Sequence, residues 1–370
     1  MRVLQICQDY YNTDLYKNLF NNLEGDITNI VFTPLNLHNK LIKNKKGNIE
    51  IYSVPAFNKY DRFAFYKKQN KIYNGLESNI DINNIDIVHA HTLFTSGNIA
   101  YNIKKNYGKK YIVAVRNTDV NMFFKYRINL KGLGIEILKE AEKVVFLSGA
   151  YKERVIRKYV PNSLKDIIEK KSVVIPNGID NLWFRNNNLF NKKINNKDIN
   201  VIQVSRLDKN KNHETTIKAI KKLREQGINI KLHIVGEGSL KKKIIKISNK
   251  NKDFITYYGK LDKKEIKKMY SNMDIFIMPS KYETFGLVYV EAMSQGVPII
   301  YTKGQGFDGY FDEGVVGFSV KYNDYNNIKK RIFDIVDNYN NISKQCIIKS
   351  KSFLWKDISS RYREIYKELQ

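Results

Sequence analysis

Cysteine is nearly missing from this chain of 370 residues: Cys7 and Cys346 stand at opposite ends. Two residues so placed give neither a disulfide framework nor a cysteine metal site, which points to a reducing, cytoplasmic setting. Histidine is scarce as well, with five residues. Only His89 and His91 are close in sequence, and a metal site would need further ligands that His38, His213 and His233 do not offer by spacing. No apolar run approaches the roughly 20 residues of a membrane span. The amino terminus has one Arg and a short apolar run, too little for a signal peptide. The expectation is a protein that is soluble or peripheral on the inner face of the plasma membrane. No internal repeat at solenoid periods is present.

Acidic residues are also in short supply, 37 against 64 Lys and Arg, for a formal charge of +27. The excess is spread from end to end rather than gathered in a tail. Such a balance suits anionic partners: nucleic acid, acidic lipid or a phosphorylated substrate. The abundance of Lys, Asn, Ile and Tyr is equally what an AT-rich genome produces, and a basic face for an anionic membrane is the functional alternative. Without zinc spacing, an aromatic and basic recognition motif or a basic tail, nucleic acid is not the expected partner.

The length suits two domains, each with its own core. Short apolar runs alternate with helical patterns at 2–7, 28–32, 49–54, 86–89, 111–115, 143–147 and 172–175. This predicts a doubly wound α/β domain. An Asn-rich stretch at 181–199 reads as a linker. Further strands are expected at 200–204, 230–235, 255–258, 274–278, 298–301 and 317–320. The helix expected at 212–226 sets Ile217, Ile220 and Leu223 along one stripe, and the last helix, at 351–369, does so with Trp355, Ile358 and Tyr362.

The most informative stretch is 281–298, KYETFGLVYVEAMSQGVP. A strand closed by Pro279, a loop, a buried helix ended by Gly296 and a strand opened by Pro298 make a right-handed crossover. Its loop and helix amino terminus offer N–H groups and a dipole to an anion. Glu283 and Glu291 stand eight residues apart, about 12 Å if all eight are helical. Two carboxylates so spaced can hold the hydroxyl-bearing ends of an elongated anion, and a nucleotide sugar has that form.

Glu283, Phe285, Gly286, Glu291, Ala292, Gly296 and Pro298 together resemble the donor-site signature of the family 4 retaining glycosyltransferases (glycosyl transferases group 1). The resemblance implies the GT-B fold: two Rossmann-like α/β domains facing a central cleft, with the carboxyl-terminal helix crossing back to the first. It is extended by Pro176-Asn177-Gly178-Ile179-Asp180, similar to the element where the chain leaves the first domain. The implied division is an acceptor-side domain at 1–180 completed by 351–370, a linker at 181–199 and a nucleotide-sugar donor domain at 200–350. By resemblance, Glu291 binds ribose, Glu283 binds the transferred sugar, and backbone of Thr284, Phe285, Gly286 and Leu287 lies near the phosphates.

Arg206 and Lys211 follow a strand end, where positive charge can stabilise a departing diphosphate. Family members resemble this pair, and Arg206, directly after a buried strand, is the stronger candidate of the two. Nearby Lys209 competes for the assignment. Gly236, in a Gly-rich turn, and Leu261, in Gly259-Lys260-Leu261, are implied to border the nucleotide. Lys303 to Gly309 forms a flexible, Gly-rich loop suited to a donor lid.

In the first domain His89 and His91 are read as pointing to opposite sides of a strand end, with His91 towards the acceptor or positioning a loop. Arg116 stands where many relatives have His, which rules out a His general base there, and Arg116 with Asp119 is assigned to the acceptor or sugar side. A second departure is the bulky stretch Asp9 to Asp14 in place of a Gly-Gly loop. The resulting expectation is a hexosyltransferase-type enzyme that moves a sugar, with retention, from a nucleotide diphosphate sugar to a glycan or lipid-linked hydroxyl in bacterial surface polysaccharide or capsule synthesis. No metal or other cofactor is expected. A nucleotide-sugar epimerase or phosphorylase on the same fold is the enzymatic alternative, and a basic nucleic-acid-binding protein the alternative of another class.

Overall fold

The structure, a computed structural model, describes residues 1–23, 25–185 and 198–370. It divides into two compact units, Met1–Gly178 with Trp355–Gln370, and Ile179–Leu354.

The first unit holds β1 (Arg2–Ile6), β2 (Thr28–Asn36), β3 (Ile42–Lys46), β4 (Ile49–Phe57), β5 (Ile87–Ala90), β6 (Tyr111–Val115), β7 (Lys143–Phe146) and β8 (Ser172–Val174). They form one sheet in the order β3-β4-β2-β1-β5-β6-β7-β8. Every residue of β5 and β6 is buried, as continuous apolar runs require when helices cover both faces. Alternate residues serve opposite cores. Leu4 and Val113 join Ile72 and Leu76 of the helix Phe65–Glu77. Val3 and Ile112 join Phe20 and, from the helix Trp355–Leu369, Trp355, Ile358 and Tyr362 in the other core. The last helix therefore belongs to this unit.

The second unit holds β9 (Ile199–Val204), β10 (Ile230–Val235), β11 (Ile255–Tyr257), β12 (Ile275–Ile277), β13 (Ile299–Thr302) and β14 (Gly317–Val320). The order is β11-β10-β9-β12-β13-β14, with all pairings parallel. The chain leaves β9 for one side of the sheet, then returns to its other side at β12. That reversal is the topological switch point where open α/β sheets bind ligands, outside the strands' carboxyl ends.

Three expectations need correction. β3, IKNKK, has every residue exposed and pairs antiparallel at the sheet edge, so no apolar alternation marks it. Residues 181–185 are no linker: Asn181–Phe184 forms a short 3-10 turn whose Trp183 is buried near Tyr270 and whose Trp183 carbonyl accepts from Gln295 at 2.6 Å. The rest of the expected linker, 186–197, lies outside the described residues. The last helix starts at Trp355, and Lys351–Phe353 is a separate 3-10 turn in the second unit.

Candidate functional site

The site grows from the two loops flanking the switch point in the second unit. After β9, the Asp208 carboxylate accepts the N–H groups of Asn210 at 2.9 Å and Lys211 at 3.1 Å, folding 208–211 into a tight turn. Asn210 then stitches this turn to the loop after β12. Its carbonyl accepts from Lys281 N–H at 2.8 Å, its Oδ1 from Tyr282 N–H at 3.0 Å, and its Nδ2 donates to the Tyr282 carbonyl at 2.9 Å. Asn212 adds a second tie, donating to the Pro279 and Tyr322 carbonyls from a left-handed backbone of φ +53°.

The outcome is an ion pair of 2.5 Å between Lys211 Nζ and Glu283 Oε2, with side chains only 16% and 13% exposed. Arg206 sits differently. Its side chain is 79% exposed and pairs with Asp208 at 3.1 Å. The lysine is thus the enclosed cation, and the arginine projects into solvent. Lys209, the competitor, makes no side-chain bond among the described residues.

Glu291 lies inside the helix Leu287–Ser294, between buried Val290 and buried Ala292. Burial raises its carboxyl to about 7; Lys263 pulls it down and Asp180 pushes it up. Among the described residues no side chain donates to this carboxylate. The 12 Å helical spacing does not apply, because the helix starts only at Leu287 and Glu283 to Gly286 is a loop. Gly286, the residue before the helix, has φ +85°, and a Cβ there would stand 2.5 Å from the Tyr289 ring. Only glycine allows the chain to turn into the helix at that point. Thr284 is buried, and Phe285 joins an aromatic cluster with Phe307, Tyr310 and Phe353 at 5.4–5.7 Å. The signature phenylalanine is thus a core anchor of the loop, and Leu287 stands half-buried at the head of the helix.

The loop after β13 is tied down rather than flexible. Gly306 N–H donates to the Glu283 carbonyl at 2.7 Å, Gln305 Oε1 accepts from Glu283 N–H at 3.1 Å, and Phe307 is buried. Gly236, after β10, has φ +139°, and a Cβ would fall 1.8 Å from the Ser205 carbonyl oxygen. Its N–H reaches the Gly259 carbonyl at 2.7 Å, which links this turn to the stretch holding half-buried Leu261. Near the β9 loop, buried His213 bonds Ser205 Oγ at 3.1 Å, and burial lowers its imidazole to about 4.

In the first unit His89 and His91 do not point to opposite sides. Residues two apart in a strand share a face, and the two rings lie 3.9 Å apart, both buried. His89 Nδ1 meets the Tyr366 hydroxyl at 2.7 Å and His91 Nε2 meets Gln5 Oε1 at 2.8 Å, and burial holds both well below the usual histidine range. Asp119 is likewise enclosed. Its carboxylate accepts N–H groups from Leu93 at 3.0 Å, Phe94 at 3.2 Å and Arg116 at 2.8 Å, and burial raises it to about 6. His91 and Asp119 are thus both buried, with their side chains bonded to neighbouring strand and loop residues. Arg116 is partly exposed, with Nε on the His91 carbonyl at 3.1 Å and Nη1 near Asn177 Oδ1 at 3.4 Å.

Sequence reasoning passed over Asp208, Asn210 and Asn212. The signal was present in DKNKN, whose Asp and Asn side chains favour local turns and left-handed backbone. Among the described residues no group of three or more His, Cys, Asp or Glu is placed to hold a metal ion, and no helix is long and apolar enough to cross a membrane.

Comparison with known proteins bears on this arrangement. The family described as Glycosyltransferase Family 4 matches residues 29–181, and Glycosyl transferases group 1 matches residues 184–353. An uncharacterized glycosyltransferase of Methanocaldococcus jannaschii is 24% identical over 88% of this chain and 87% of its own. The alpha-monoglucosyldiacylglycerol synthase of Acholeplasma laidlawii is 24% identical over 77% of this chain and 76% of its own. The solved structure of an Anabaena protein, HepE, in complex with UDP-glucose superposes with a TM-score of 0.68 at 15% identity, covering 100% of both chains. With two adjoining family matches and the donor-site signature on its second sheet, this chain is a family 4 glycosyltransferase, a member of the glycosyl transferases group 1 with the GT-B fold.

Proposed function

We propose that the enzyme transfers a hexosyl group, with retention at the anomeric carbon, from a nucleotide diphosphate sugar to a hydroxyl of a glycan or lipid-linked acceptor. The observation that carries this reading is the enclosed Lys211–Glu283 pair at 2.5 Å, beside the amino terminus of the helix that bears Glu291. A donor diphosphate suits the Lys211 ammonium and the helix N–H groups, while sugar and ribose hydroxyls suit Glu283 and Glu291. The UDP-glucose complex of a protein with this fold supports a nucleotide-sugar donor, and the diacylglycerol-linked name of a relative supports a lipid-linked acceptor. Bacterial surface polysaccharide synthesis is the setting this acceptor class suggests, with the enzyme working from the cytoplasmic side.

In the reaction, the acceptor oxygen bonds to the anomeric carbon as the bond from that carbon to the diphosphate oxygen breaks. The acceptor proton passes to the leaving phosphate on the same face. Lys211 stabilises the charge that develops, and Arg206 would do so on turning from Asp208. His91, Arg116 and Asp119 shape the acceptor side, with Arg116 the one exposed enough for contact. No divalent ion enters this scheme; activity lost to a chelator and restored by manganese would contradict it.

Steady-state kinetics test the assignment. Glu291→Ala should raise the donor KM strongly, and Arg206→Ala should lower kcat by at least about tenfold. Near-normal donor kinetics in both variants would sink it.

A further inference from the structure

The loops after β4 and β6 in the first unit carry a surface for which the donor chemistry has no use. Tyr60, Phe63 and Tyr66 are 69%, 71% and 54% exposed, and Met122, Tyr126 and Ile128 are 56%, 63% and 70% exposed. The two segments adjoin, because Phe65 and Phe123 at their bases are in ring contact at 6.0 Å. The turn after β2 extends the patch, with Leu37 N–H on the Phe57 carbonyl at 2.7 Å and Leu37 and Leu41 about half exposed. So many large apolar tips at one end of a sheet mark an interaction surface rather than scattered exposure.

Its charge is equally one-sided. Residues 57–68 and 120–135 hold seven Lys or Arg and one acidic residue, Asp61. Asp61 is buried and bound to Lys71 at 2.9 Å, so it does not offset the surface charge. Basic and aromatic groups alternate closely, with Lys59 Nζ 5.1 Å from the Tyr60 ring and Lys125 Nζ 4.9 Å from the Tyr126 ring. Separate loop tips that pair apolar side chains with lysine fit the boundary between lipid headgroups and acyl chains. A nucleic-acid surface would instead ask for stacking platforms along a track, and Met122 and Ile128 supply none.

We propose that this surface seats the first unit on an anionic lipid bilayer, with Tyr60, Met122, Tyr126 and Ile128 entering the headgroup boundary and the lysines facing lipid phosphates. The inference rests on the transferase reading in one respect, that docking serves to reach a lipid-linked acceptor. Each lysine near such a surface is worth roughly fivefold in partition.

The test is cosedimentation of the full chain with vesicles of phosphatidylcholine alone, or of equal parts phosphatidylcholine and phosphatidylglycerol. Binding is expected to the mixed vesicles only. The double variant Tyr126→Ser, Ile128→Ser should weaken it on the order of tenfold or more, since two apolar tips leave the boundary. Lys59→Ala with Lys67→Ala should weaken it to a similar degree. No binding to the mixed vesicles overturns the proposal. So does full binding by the Tyr126→Ser, Ile128→Ser variant, because net charge alone would then be responsible, and so does an equal loss of binding to an RNA homopolymer by that variant. Thermal stabilisation by uridine and adenosine diphosphates is measured on every variant as a check on folding. Vesicle binding without any nucleotide response would count against the proposed nucleotide-sugar donor and leave the docking surface standing; the reverse would remove docking alone.

Discussion

Glu291 is the residue whose environment most clearly departs from that of a surface carboxylate. Its carboxyl is raised to about 7, whereas in the unfolded chain it titrates near 4.5. The folded state therefore holds a proton that the unfolded state has released between these values, and stability falls as pH rises through that window. Asp119, raised to about 6, acts in the same direction, while His213, lowered to about 4, acts in the opposite one. The contribution of Glu291 is isolated by difference. Glu291→Gln should gain up to about 3 kcal/mol on the wild type between pH 5 and pH 8, read from denaturant midpoints. A constant difference across that range would mean that the carboxylate is ionised throughout. The same substitution should weaken donor binding above pH 7, so that stability and function move oppositely at this position, as expected of a site residue held in an unfavourable setting.

The two loops that make the site are built from local side-chain chemistry. Asp208 folds its own turn, Asn210 stitches that turn to 281–282, and Asn212 anchors the start of the helix His213–Glu225. Asn212 has the one positive φ outside glycine among the described residues, and its side chain donates to Pro279 and Tyr322 and accepts from Thr215 Oγ1 at 3.0 Å. Two substitutions separate these roles. Asn212→Gly loses the side-chain bonds but relaxes the backbone, whereas Asn212→Ala loses both and should be less stable than the glycine variant by about 1 kcal/mol. Both should lower turnover by loosening Lys211 against Glu283, with little effect if the pair is held by other contacts. Sequence revealed elements where one strong periodicity governed them. Buried parallel strands such as β6 and β12 read as apolar runs, and the Gly286 to Pro298 pattern marked its loop and helix. It did not reveal β3, which is stabilised by pairing with β4 rather than by burial, or the side on which the two histidines lie. Lys211 and Glu283 were each legible as candidates, but their meeting depends on Asn210, whose bonds span 72 residues of chain. Such contacts leave no periodic trace.

Over the whole molecule, a formal charge of +27 means that almost any polyanion will bind at low ionic strength, so a nucleotide effect has to be told apart from a charge effect. Charge attraction between exposed groups is screened beyond about 8 Å at physiological salt, while contacts in an enclosed site persist. Lys211 and Glu283 are enclosed and Arg206 is not. A nucleotide diphosphate at 100 times its dissociation constant should therefore add about 2.7 kcal/mol of apparent stability at physiological salt, visible as a rise in Tm. Pyrophosphate lacks the ribose on which Glu291 acts in the proposed donor complex, and it should give a smaller shift that fades as salt is added. Glu291→Ala should bring the nucleotide's response down to that of pyrophosphate, because it removes the ribose contact and leaves the cations in place. Lys211→Ala should diminish both responses. If pyrophosphate and nucleotide diphosphates stabilise the wild type equally and lose their effect together as salt rises, the second sheet holds anions only by its charge, and the donor assignment fails at its nucleotide end.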